Sequence, residues 1–300
     1  MRVFVTGASG HIGSLVVAEL LAAGHQVTGL ARSDASEAVL RSAGAQVRRG
    51  ALQDLDVLAA AATEADGVIH LAFIHDFADY AAAGAADLAA IEAIGSALTD
   101  SGKPFVTTSG TAMLAFGRSG ELGVEDSEVD PSGPRVASEN ATVALAGRGV
   151  RSSVIRLAPT VHGPTDRHGF VPTLIANARA TGRSLYIGDG ANRWPAVHNL
   201  DAAHLYRLAL ETAPAGSRLH GAAERGIAFR DIAQVIGDRL GVPTLSVTPE
   251  QALDEIGFVG AIAALDNPTS SEITRTLLGW RPRHPGLLDD LRAGRYFDAG

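Results

Sequence analysis

Short apolar runs separated by longer amphipathic stretches set the rhythm of the first half of this chain. Val3, Phe4, Val5 and Thr6 form a continuous run that ends in glycines, the pattern of a strand covered on both faces. A helical stretch follows over about residues 11–23, and Gly24 closes it at the usual C-terminal position. Further strands read at residues 26–31, 45–49, 67–72, 104–108 and 152–157. Alanine- and leucine-rich helical stretches at 55–65, 81–98 and 134–146 lie between the later ones. Strand, helix, strand in this order predicts a parallel sheet with helices on both faces. His75, Asp76 and Phe77 follow the fourth strand, either reaching over a ligand or starting a helix with Asp76 as its cap.

Beyond Pro159 the rhythm loosens. Gly and Pro recur in loops, and helices read at residues 200–212, 229–240 and 249–256. The expected organisation is a nucleotide-binding unit over 1–160 to which 191–222 returns. Residues 161–190 and 223–300 then form a smaller, interleaved lobe on the substrate side. Three hundred residues suit one such unit with a lobe grown out of it.

Composition narrows the chemistry. Hydrophobic residues make up 46% of the chain, enough for a large core, and the formal charge of −8 disfavours a nucleic-acid partner. The absence of cysteine removes disulfides, thiolate metal sites and cysteine nucleophiles together. No basic-then-apolar leader precedes the first strand and no apolar run reaches membrane-span length, so a cytoplasmic globular protein with no membrane partner is expected. The histidines lack metal-ligand spacing, and no metal is expected.

The chemistry concentrates in Gly7, Ala8, Ser9, Gly10, His11, Ile12 and Gly13, between the first strand and the first helix. One glycine permits the tight turn, one lets backbone approach a pyrophosphate, and one allows close helix packing, while the helix N-terminus faces the phosphates. Together with the alternating pattern this predicts an α/β, Rossmann-type, doubly wound dinucleotide-binding fold. At the end of the second strand, where an NAD binder carries an acidic residue on the ribose, this chain has Arg32 and Ser33. A guanidinium grips a 2′-phosphate, so NADP(H) is the expected cofactor, with NAD(H) as the alternative. Ala51 and Leu52 after the third strand are placed to wall the adenine, and Leu71, Ala72 and Phe73 after the fourth to pass the cofactor. Both sets read equally well as plain strand ends.

Taken together these residues resemble the short-chain dehydrogenase/reductase superfamily, in its extended and atypical epimerase/dehydratase-like branch. The resemblance also rests on residues 67–72, on Thr107 to Gly110, on Arg156 to Pro164, and on Arg193 to His198 with Asp201. It implies that Thr107 to Ser109 and Pro159 to Val161 border the nicotinamide. It also implies a reaction centre of a Tyr, a Lys four residues later, and a Ser or Thr after the fifth strand. Here Arg135 stands at the tyrosine position and Glu139 at the lysine position. The hydroxyl position falls at Gly110, between Ser109 and Thr111. Ser109, Thr111 and Arg135 are the remaining candidates for polarising a substrate, and Arg135 with Glu139 reads as an exposed pair one helical turn apart. Water, His162 or the substrate itself is left to supply a proton. Phe170, Arg193 and Trp194 are the expected substrate-side residues.

The expected function is an NADP(H)-dependent oxidoreductase acting on a small carbonyl-like substrate. The alternatives are a non-catalytic NADP(H)-binding sensor and a nucleotide-sugar epimerase or dehydratase. A monomer and a homodimer joined through the stretches at 81–98 and 134–146 both remain open.

Overall fold

The computed structural model describes residues 1–75, 79–116, 118–131, 133 and 135–298. Asp76 and Phe77, the expected helix start after the fourth strand, and Pro134 lie outside the described residues. The first half runs β1 (Arg2–Thr6), α1 (Gly13–Ala22), β2 (Gln26–Ala31), α2 (Asp34–Ser42), β3 (Gln46–Arg49), α3 (Leu55–Glu64), β4 (Gly67–His70), α4 (Tyr80–Ala97), β5 (Pro104–Gly110), α5 (Val136–Ala144) and β6 (Arg151–Leu157). The second half runs β7 (Thr160–His162), α6 (Phe170–Thr181), β8 (Ser184–Ile187), β9 (Arg193–His198), α7 (Asn199–Thr212), β10 (Ser217–Gly221), β11 (Glu224–Ala228), α8 (Phe229–Leu240), β12 (Thr244–Val247), α9 (Pro249–Ile256), α10 (Phe258–Ala263), α11 (Glu272–Leu278) and α12 (Leu287–Arg292).

Seven strands form one parallel sheet in the order β10-β6-β5-β4-β1-β2-β3. The two-residue period of a strand sends alternate side chains to opposite faces. Val3 and Val5 join the core under α1 and α7, and Phe4 between them joins the core under α3, α4 and α5. Ile69 and Val68, and Val106 and Phe105, divide in the same way. Both faces are therefore covered, which is why these strands read as unbroken apolar runs. After β1 the chain builds β2 and β3 on one side and returns to β4 on the other. The resulting switch point leaves a crevice beyond the strand ends at β1 and β4.

The remaining strands make a β11-β9-β7 sheet and a β12-β8 pair. A second core, with Val171, Leu174, Trp194, Phe229, Ile232, Val259 and Leu291, lies between them and α6, α8, α10 and α12. The helix α2, not among the expected elements, has well-marked ends. Ser33 accepts from Ser36 N in a capping box, acidic Asp34 and Glu37 occupy the first turn, and Arg41 the last. The fourth strand stops at His70 rather than at residue 72. There the Thr6 hydroxyl takes the N–H groups of Leu71 and Ala72, both at 3.2 Å, and turns the chain toward the glycine loop.

Candidate functional site

The loop from Gly7 to Ile12 closes over the end of β4. Gly7 has φ +66°, and a Cβ there would stand 2.7 Å from Ala72 N and 2.8 Å from the Leu71 carbonyl carbon. A Cβ on Gly13 would stand 2.0 Å from Gly7 O. Any side chain at either position would force the turn apart. Gly10 is different: it is exposed, with only Gly7 O near its Cβ direction, at 3.2 Å. Helix α1 begins beside it without a side-chain cap. Bare glycine backbone and an uncapped helix start form a cradle that fits a pyrophosphate. Ser9 is half-buried in this loop, and Ile12 sits half-buried at the helix start against the core. His11 turns its ring the other way. Its Nε2 donates to Val161 O at 2.8 Å and its Nδ1 lies 2.9 Å from Thr165 Oγ1, tying the loop to the segment after β7.

At the edge of β2, Arg32 is exposed and forms no ion pair among the described residues. Ser33 is engaged in capping α2. The carboxylate of Asp34 faces Arg49 at 3.1 Å, where Glu37 also reaches it at 3.2 Å. Ala51 N donates to Asp54 at 2.8 Å, while Leu52 is buried in the core with Leu30 and Leu58. Of the residues expected along the nicotinamide, Pro159 and Val161 are half-buried. Thr107 is buried, with its hydroxyl 3.0 Å from Thr142 Oγ1.

The start of α5 holds the largest departure from expectation. Arg135 has φ +63° and leads into Val136. Its Nη2 donates to Thr108 O at 2.7 Å and lies 3.3 Å from both oxygens of Asp87, and its guanidinium stacks on Phe73 at 4.1 Å. Asp87, fully buried on α4, also meets His70 Nε2 at 3.3 Å, and His70 Nδ1 meets the Thr6 hydroxyl at 2.8 Å. Burial by itself would raise the Asp87 carboxyl, but His70 and Arg135 outweigh it and hold it below its ordinary value. Thr108 Oγ1 donates to His70 O at 2.9 Å and lies 2.7 Å from the hydroxyl of buried Tyr206. A polar chain thus runs unbroken from the end of β1 to Arg135.

Glu139 does not pair with Arg135, so the expected exposed pair does not exist. Its carboxylate, fully buried, receives Arg156 Nη2 at 2.6 Å and Nε at 3.0 Å, and Arg218 Nε at 2.9 Å. The left-handed turn at Arg135 sends the two side chains apart, one toward β4 and β5, the other toward β6 and β10. Arg156 is held further by the carbonyls of Glu125 and Ser127.

The other candidates are more enclosed. Ser109 is buried with its hydroxyl on Met113 Sδ, and Thr111 is buried with its hydroxyl 3.3 Å from Asn267 Nδ2. Arg193 is bound by Asp266 at 2.8 and 2.9 Å, and Trp194 is buried 4.9 Å from Phe229 and 5.7 Å from half-buried Phe170. His162 is fully buried, with Asp290 at 2.9 Å and the His198 ring at 5.3 Å, and is not open to a substrate as a proton source. Among the described residues no group of His, Cys, Asp and Glu is arranged to hold a metal, and no helix is long and apolar enough to cross a membrane.

The model of the NAD dependent epimerase/dehydratase family matches residues 3–220. The chain belongs to that family. This epimerase/dehydratase-family chain is 50% identical over 298 residues to an uncharacterized protein of Schizosaccharomyces pombe, covering 99% of this chain and 100% of the relative. It is 30% identical over 262 residues to 2′-dehydrokanamycin reductase of Streptomyces kanamyceticus, covering 85% and 72% of the two chains. A double mutant of DesIV, a dTDP-glucose 4,6-dehydratase of Streptomyces venezuelae with NAD bound, has a similar fold. Its TM-score is 0.79 at 22% identity, covering 100% of this chain and 97% of that one.

In this family member the residues to which sequence reasoning gave no role in the site are Thr6, His70, Asp87 and Tyr206, while the resemblance places Thr108 at the nicotinamide. Of these Asp87 carried a faint signal, as one of two acids, with Glu92, on an alanine-rich helix. The others sit within strands or a helix, where hydroxyl and imidazole groups read as ordinary pattern.

Proposed function

We propose that this chain is an NADP(H)-dependent oxidoreductase that reduces a small carbonyl compound, with Arg135 in the place of the family's tyrosine. The observation that carries the reading is the continuity from cradle to cation. Gly7 touches Ala72, Phe73 follows Ala72, and Arg135 stacks on Phe73 with its orientation fixed by Asp87 and Thr108 O. Gly7, Gly10 and Gly13 hold the pyrophosphate, with Ser9, His11 and Ile12 shaping the loop. Ala51 and Leu52 border the adenine, Leu71, Ala72 and Phe73 pass the cofactor at the sheet edge, and Thr107, Pro159 and Val161 border the nicotinamide. Arg32 grips the 2′-phosphate, and Asp34 opposes it less because its charge is turned to Arg49.

When bound, reduced nicotinamide supplies a hydride. With that hydride at the carbonyl carbon, the oxygen would need one proton to complete the alcohol, and since no lysine–tyrosine pair stands beside it that proton would come from water. Arginine stays protonated near neutrality, so Arg135 orients the carbonyl and stabilises charge growing on its oxygen rather than giving up a proton. Asp87 keeps that guanidinium fixed, so little reorganisation is needed as the charge develops. Phe170 lies on the substrate side, while Arg193 and Trp194 support that wall from behind.

A second reading, a protein that binds NADP(H) without turnover, is favoured by the buried Glu139–Arg156 pair where the family's lysine would stand. Titration with NADPH and NADH, followed by the fluorescence of the bound reduced nicotinamide, tests both. Preferential binding of NADPH followed by its oxidation in the presence of ketones or aldehydes supports the enzyme. Binding without turnover across such a panel supports the second reading. Failure to bind either nucleotide sinks both.

A further inference from the structure

The two arginines on the substrate side already have their charge balanced. Both oxygens of Asp87 lie 3.3 Å from Arg135 Nη2, and Asp266 holds Arg193 through Nε at 2.9 Å and Nη2 at 2.8 Å. An anionic substrate at either guanidinium would meet like-charge repulsion from that carboxylate in a poorly screened site. A neutral carbonyl oxygen meets little of it, because it asks only for an N–H donor. Arg135 can offer one only through the open part of its side chain, 13% of its surface, because its buried Nε, without a hydrogen-bond partner among the described residues, is out of reach.

The surroundings of this donor are aromatic. Phe73 lies under the guanidinium at 4.1 Å, and Tyr80, at the start of α4, is 5.6 Å from Phe73. Phe258, at the start of α10, stacks on Tyr80 at 5.9 Å and 23°. Phe170, at the start of α6, is 6.4 Å from Phe258, and buried Trp194 backs it at 5.7 Å. Four separate segments thus bring ring systems into one strip that begins at Arg135, and each of the four rings before Trp194 is only half-buried. Ring faces and edges recognise flat apolar bodies, and of these four rings only Tyr80 carries a polar group that could meet the hydroxyl groups of a sugar.

Resting on the oxidoreductase reading, we infer that the substrate is an uncharged ketone or aldehyde with a flat, aromatic body. Its carbonyl oxygen meets Arg135 and its ring lies along Phe73, Tyr80, Phe258 and Phe170.

The test compares acetophenone with cyclohexyl methyl ketone, which has the same carbonyl and a similar size but no flat ring, and with UDP-glucose. Binding to the full chain is measured by saturation-transfer NMR with and without NADP, and NADPH oxidation is followed separately. Acetophenone is expected to bind at least tenfold more tightly than either comparator and to be turned over with the highest kcat/KM. Phe258→Leu, which keeps bulk but loses the ring, should raise KM about tenfold with kcat little changed, and Phe258→Tyr should restore it. Equal binding of the two ketones, or preferential binding of UDP-glucose, overturns the inference even if NADPH is bound and oxidised. Failure of NADPH to bind removes the oxidoreductase reading by itself. In that case the ligand preference measured by NMR still decides the nature of the strip.

Discussion

The glycine loop and the start of α5 sit at the same end of one sheet, yet they treat the family pattern in opposite ways. The loop keeps every glycine that backbone geometry demands, because Gly7 and Gly13 have no room for a Cβ. The start of α5 keeps neither member of the expected pair and fills both positions with charge that is compensated inside the protein. A turn made by backbone sterics tolerates few solutions. A pair of side chains can be exchanged whenever the surrounding charges change with it. Here they have: Asp87 accompanies Arg135, and Arg156 with Arg218 accompanies Glu139.

That contrast is broken most directly by trying to restore the family pair. Glu139→Lys would place a cation beside Arg156 and Arg218 in a buried site, and losing one partner of a buried pair alone costs about 3–5 kcal/mol. Chemical denaturation should show at least that loss, and a stable, active Arg135→Tyr, Glu139→Lys double variant would refute the view that this charge set is fixed. Next in size is Arg135→Gln. If this guanidinium stabilises charge on the substrate oxygen, kcat should fall about 10²–10³-fold, with NADPH affinity nearly unchanged. A variant with undiminished kcat would move the chemistry elsewhere.

On the other side of the comparison, Gly13→Ala is expected to weaken the cofactor cradle and to destabilise by about 1–3 kcal/mol, as overpacking does. Melting temperature and nucleotide titration read both effects, and an unchanged titration would show that the loop has more slack than its geometry implies. Arg32→Ala should cost roughly 1.5–3 kcal/mol of NADPH affinity, the worth of a hydrogen bond to a charged group, with NADH binding little affected. An unchanged NADPH/NADH ratio would remove Arg32 from cofactor selection.

A further effect is set by pH. Burial drives His198 and His220 down from 6.5 to about 4. Below pH 6.5 the unfolded chain binds protons on these rings that the folded chain refuses until about pH 4, so stability falls as pH drops through that window. A melting temperature that is flat between pH 6.5 and 4 would contradict this, and His198→Gln should reduce the slope.

Much of the fold was legible because it is written in local period. The strands β1, β2, β5 and β6 are apolar runs, and α7, α8 and α9 show their helical pattern and their ends. The strands β7, β8, β11 and β12 were not legible: β3 and β4 are as short, but the regular alternation with helices marked them, and beyond Pro159 that alternation is lost among Gly- and Pro-bearing loops. Helix α2 escaped for a different reason. It is short, buries only Leu40, and lies between β2 and β3 where Arg32 and Ser33 read as cofactor contacts, although Ser33 caps it.

The sequence by itself determined the crevice and its glycine cradle, because backbone conformation is a local property and glycine is the residue that relieves it. It also put Arg135 and Glu139 at the two positions where the resemblance leads one to expect a tyrosine and a lysine. What those replacements do was decided by tertiary structure alone. Asp87 lies 48 positions from Arg135, and Arg218 lies 79 from Glu139. Whether a charged side chain is a solvated surface group, a core ion pair or a poised donor depends on what long-range folding packs against it. Electrostatic energy follows distance in space and burial, and neither is encoded in the spacing of residues along the chain.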